Sequence, residues 1–85
     1  MANPYRPETL RETAATNRLQ IAILISDLRR SMSILTADIE HEEERAGVRD
    51  LRDPAYPVLA RTLMARRDNI EATIGALQMR VNKAA

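Results

Sequence analysis

The sequence has no cysteine, no tryptophan and no phenylalanine, and two glycines in 85 residues. Without cysteine, disulfides, thiolate metal sites and cysteine nucleophiles are excluded. Tyr5 and Tyr56 are the sole aromatic residues, so large ring anchors for a core and stacking platforms for unpaired bases are both scarce. An excess of one charge is also missing. Thirteen basic side chains face twelve acidic ones, for a net charge of +1, whereas a nucleic-acid protein carries a clear basic surplus. All the basic residues but Lys83 are arginine. No long apolar run exists: Leu19 to Ser26, an uncharged stretch as long as any in the sequence, falls far short of the roughly 20 residues of a membrane span. The start, MANPYRPETLRE, lacks the basic head and apolar core of a secretory signal. Together these predict a soluble, cytoplasmic protein with no membrane partner.

What is present is helix. From Glu8 to Ala46 there is neither proline nor glycine, a stretch far beyond the 5–6 residues, roughly, of an average strand. Pro7 suits a first helical position, and Thr9-Leu10-Arg11-Glu12 matches a capping box. Gly47 suits the left-handed residue just past a helix end. The segment GVRDLRDPAYP reads as an elbow. Because a residue before proline avoids the helical region, a turn at 53–56 followed by a helix from Pro57 is favoured over a start at Pro54. The expectation is one all-α domain over 1–85: helix 1 at about 8–46, an elbow at 47–56 and helix 2 at about 57–82, folded as an antiparallel hairpin with a long first arm.

Spacing gives the contact seam. Tyr56, Ala60, Leu63, Arg67, Ile70, Ile74, Leu77 and Val81 alternate steps of four and three. On the first arm Ala14, Arg18, Ile21, Ile25, Leu28, Met32, Leu35, Ile39, Glu42 and Ala46 do the same. Such a repeat specifies coiled-coil-like packing of antiparallel helices. On a register centred in the elbow, the acidic block DIEHEEE faces Arg61, Arg66 and Arg67, and Arg67 falls near Asp38 as a possible polar pair within the seam.

The main seam does not use every apolar residue of the first arm. Leu10, Leu19, Ile23, Leu24 and Ile34 point elsewhere, and several apolar residues around one helix imply a second buried face. Val58, Ala65, Ala72, Ala76 and Met79 form a milder counterpart on the second arm. The start of the long arm also overhangs the short one. These features predict a homodimer, four helices in a bundle, with Leu10, Leu19, Ile23, Leu24 and Ile34 at the interface and the two long arms antiparallel near Ile23.

Candidate chemistry is thin. His41, in IEHEEE, has Glu44 one turn on, but the order differs from the Glu-x-x-His pattern of di-iron bundles, and a solvated charged face explains it better. Arg18 and Arg67 at seam positions either pack their stems and reach a carboxylate or face a ligand; the first reading is favoured. Gly75 either admits a close helix or is a tolerated surface glycine. There is no phosphate loop, Ser-His-Asp set, paired-carboxylate cleft or zinc motif. No enzyme activity, cofactor or metal is expected. The leading expectation is a protein-binding module of the adaptor, chaperone-like or assembly kind. The alternatives are an RNA- or DNA-binding four-helix bundle using the Arg61, Arg66 and Arg67 face, and a small-molecule or metal site in the bundle core.

Overall fold

The computed structural model describes the backbone of residues 7–84 and the side chains of 13–83. It is a hairpin of two helices packed against each other, α1 (Pro7–Ala46) and α2 (Val58–Ala84). The residues of the proposed capping box, Thr9 and Glu12, and the side chain of Leu10 lie outside the described side chains. At 1.5 Å per residue α1 is roughly 60 Å long and α2 roughly 40 Å.

The end of α1 is made by Gly47. It adopts φ 71°, where a Cβ is disfavoured. Its N–H reaches the Glu44 carbonyl at 3.2 Å and the Glu43 carbonyl at 2.9 Å, while the Val48 N–H donates to the Glu43 carbonyl at 3.2 Å. Those bonds are the Schellman closure, and they satisfy carbonyls that the helix itself leaves open. The elbow is then tied by side chains of its own. The Asp50 carboxylate accepts from the Arg52 N–H at 2.9 Å, and the Asp53 carboxylate accepts from the Ala55 N–H at 2.8 Å. The Tyr56 N–H donates to the Asp53 carbonyl at 3.0 Å, closing the turn. The Arg61 N–H donates to the Pro57 carbonyl at 3.2 Å. Pro57 is therefore the capping residue of α2, one place earlier than the first helical position expected of it.

The best-packed part of the molecule is at the elbow end. Ile39, Tyr56 and Ala60 are buried together, with Val48, Leu63 and Met64 against them. Ala60 is fully covered; its small side chain lets the two backbones approach here. Further along, Ile25, Leu35 and Ile74 are buried, and Ile21, Leu28, Met32, Ile70, Leu77 and Val81 are half-buried. The buried and half-buried positions of α2 recur at alternating steps of four and three, the spacing that keeps one stripe against an antiparallel neighbour. Tyr56 sits level with Glu43 and Arg67 level with Thr36. On that register the end of α2 reaches only to about residue 18 of α1, so residues 7–17 extend roughly 16 Å past it.

Candidate functional site

Two helices side by side make a single layer, and a single layer covers only one stripe of each helix. The surfaces left over are the candidates for function. Successive helical residues step by about 100°, so each remaining residue can be assigned to a side.

On one side of the seam lies an open groove of about 780 Å³, lined by Arg29, Met32, Ser33 and Thr36 from α1 and by Glu71, Ile74, Gly75 and Gln78 from α2. A smaller one continues it toward the open end between Arg18, Ala22 and Ile25 on α1 and Gln78, Val81 and Asn82 on α2. Both polar side chains (Arg29, Ser33, Thr36, Glu71, Gln78) and apolar ones (Met32, Ile74, Ile25, Val81) line this groove. A Cβ built at Gly75 would meet nothing within 4 Å, so no helix approaches that glycine within the chain.

The opposite side has different chemistry. Stepping the other way around each helix from the groove brings up Leu24, Leu28, Ser31 and Leu35 on α1, and Leu59, Leu63, Ile70 and Leu77 on α2. Leu24 is 45% exposed and Leu59 51%, with most of the others half-buried. The third region is the back of α1, turned away from α2. It carries Leu19, Ile23 and Ile34, exposed by 62%, 54% and 57%. The residues expected at a dimer interface are thus divided: Leu19, Ile23 and Ile34 share the back of α1, whereas Leu24 belongs to the leucine side. Val58 and Met79 are exposed on the far side of α2.

The expected polar pair is not formed. The Arg67 guanidinium donates from Nη1 to Thr36 Oγ1 at 3.1 Å, and Asp38 stays exposed. The reason is angular: Thr36 lies on the groove side of the α1 seam, whereas Asp38, two residues on, is carried about 200° around the helix. The acidic block likewise does not pair with the arginines across the hairpin. Glu42 takes Arg45 of its own helix at 2.7 Å, and Glu43 accepts the Tyr56 hydroxyl at 2.9 Å.

The three arginines of α2 point in three directions. Arg61 stacks over the Tyr56 ring at 5.1 Å and donates to the Leu51 carbonyl. Arg67 turns into the seam. Arg66 is exposed on the leucine side. They form no common basic surface. His41 is exposed, and among the described residues no three metal-ligating side chains gather. No described helix is long and apolar enough to cross a membrane.

Tyr56 was placed on the seam by its spacing, but its hydroxyl contact was not foreseen; an aromatic residue just before a proline, level with a glutamate, is the signal. Its phenol pKa is raised above the ordinary 10.0, first by burial, then by the hydrogen bond to Glu43 and by that residue's charge. Arg61 and Arg67 pull it the other way.

Compared with known protein families, with curated proteins and with solved structures, the chain finds no match in any of the three.

Proposed function

We propose that this chain is a non-catalytic protein-interaction module of the adaptor or assembly kind, and that its first partner is a second copy of itself, giving a dimer of four helices. The observation that carries this reading is the exposure of Leu19, Ile23, Leu24 and Ile34, between 45% and 62%, on a molecule whose buried hydrophobic set is short. Isolated apolar residues on a surface are ordinary; several on two sides of one helix are the mark of a helix that meets protein more than once. The single-layer architecture supports the same reading, because a second layer is what covers such surfaces in stable domains.

Sedimentation equilibrium of the full chain tests the reading. At about 10 µM, where a micromolar complex is well populated, the expected mass is twice the 9.6 kDa of one chain. A helical monomer persisting at about 100 µM overturns the self-association.

A further inference from the structure

The back of α1 carries a pattern that reads the same in both directions. With successive residues about 100° apart, Thr16, Ile23, Ile34 and His41 fall close to one line along the helix, about 150° around it from the seam. Asp27 and Arg30 straddle that line at its middle. Leu19 and Ala37 flank it on one side, Gln20 and Asp38 on the other. Every one of these side chains is exposed in the hairpin. Among the described residues, neither Asp27 nor Arg30 has a hydrogen bond or an ion pair within its own chain. Resting on the self-association reading above, we propose that a second copy of the chain covers this face through its own α1. The two long helices run antiparallel, with the two-fold axis level with Leu28 and Arg29.

Charge and apolar spacing select the direction and the register together. Asp27 and Arg30 are equally far from that axis, so each Asp27 meets Arg30 of the second copy, and symmetry makes the contact twice. Ile23 and Ile34, roughly three turns apart on one helix, are also equally far from it and meet across the interface. Leu19 comes level with Ala37, and Gln20 with Asp38. A parallel pair has no such match. It sets Asp27 on Asp27 and Arg30 on Arg30, and like charges so placed oppose association. Other antiparallel registers fail as well. Centring the pair on Ile23 puts Asp27 against Leu19, and centring it on Ile34 puts Ile23 against Arg45.

The unequal arms fit the same register. Residues 7–17 of α1 extend past the end of α2. In this pairing residues 11–46 of the two long helices overlap, so the start of each lies along the elbow half of the other. Thr16 comes beside His41. The exposed Leu19, Ile23 and Ile34 all fall within the contact.

The test uses the full chain, with sedimentation for the dimer dissociation constant and helicity measured in parallel. Asp27→Arg and Arg30→Asp alter exposed residues that bond to nothing in the hairpin, so the hairpin survives each. Either alone is expected to raise Kd at least about tenfold, because it sets like charges together at two contacts. The variant carrying both rebuilds the two contacts in reverse and is expected within about threefold of the wild type. Leu59→Arg, on the leucine side, is expected to change Kd by less than about threefold, as for a residue outside the contact. The chain has no cysteine, which makes single-cysteine variants clean reporters. An equal mixture of Ile23→Cys and Ile34→Cys chains is expected to give mixed disulfide-linked dimers under mild oxidation, and neither variant alone is expected to cross-link. A wild-type dimer that tolerates Asp27→Arg, or that Leu59→Arg weakens more, overturns the assignment of the face. Cross-linking of either cysteine variant alone, or a double charge variant as weak as the single ones, overturns the register. A wild-type monomer overturns the self-association itself, and that outcome is recognised before any variant is made.

Discussion

Tyr56 concentrates most of the specific chemistry of this molecule in one side chain. It is buried at the elbow, its hydroxyl donates to Glu43 at 2.9 Å, and the Arg61 guanidinium lies 5.1 Å above its ring. Loss of water around the phenol raises its pKa, and Glu43 adds to the shift through its hydrogen bond and its charge. The folded chain therefore holds this proton at pH values where the unfolded chain has released it. The stability this contributes is complete below pH 10 and declines as pH rises from there through the folded pKa. Urea unfolding between pH 8 and 11 should show that decline, and Tyr56→Phe should flatten it while lowering Tm at neutral pH by several degrees. Gly75 gives a second test on a single residue. It lies within a helix, and a Cβ there would touch nothing. Gly75→Ala should therefore stabilise the protein by about 1 kcal/mol, the ordinary helical difference between the two residues. For a domain of this size that is about 4–8 °C in Tm. A fall in Tm instead would mean that another helix packs against position 75 in solution.

At the scale of the helices, the question is what a charged residue does inside an apolar seam. Arg67 occupies a core step of α2, is half-buried, and bonds the neutral hydroxyl of Thr36. A guanidinium with one neutral partner recovers little of its lost hydration. Arg67→Met should raise hairpin stability by about 1 kcal/mol, and Asp38→Asn should leave it within about 0.5 kcal/mol, as for an ordinary surface change. Both are read from denaturation midpoints. The two helices and their hairpin were legible in the sequence for a physical reason. Thirty-nine residues between Glu8 and Ala46 contain no breaker, and Gly47 is followed by a segment whose aspartates and prolines make turns. The partner of Arg67 was not legible, because a register along the helix axis fixes how high a side chain sits and leaves open which way it swings. Asp38 and Thr36 are almost level, yet they lie on opposite sides of α1. The dispersal of Arg61, Arg66 and Arg67 was obscured by their nearness in sequence, since adjacent numbers on a helix point in different directions. The difference between the leucine side and the groove side needs both helices placed together before it can be seen.

At the scale of the molecule, the arrangement is long and thin. Its Cα atoms span 67 Å along one axis and no more than 20 Å across, and the tightest cluster, Ile39, Tyr56 and Ala60, sits at one end. Toward the open end, seam residues such as Ile21 and Val81 are only half covered. A hairpin of this form draws little cohesion from its own two helices, since a pair of helices without a second layer leaves most of each helix surface in water. If a second copy supplies that layer, unfolding and dissociation become one event, and thermal stability acquires a dependence on concentration that a monomer lacks. The size of the effect follows from the unfolding enthalpy. At about 0.7 kcal/mol per residue, two chains together absorb roughly 120 kcal/mol near the midpoint. A 100-fold rise in protein concentration should then raise Tm by about 8 °C. Scanning the same chain at about 2 µM and about 200 µM measures this directly. A constant Tm across that range would mean that each hairpin unfolds alone, and that its apolar sides are not covered by a second copy in the folded state.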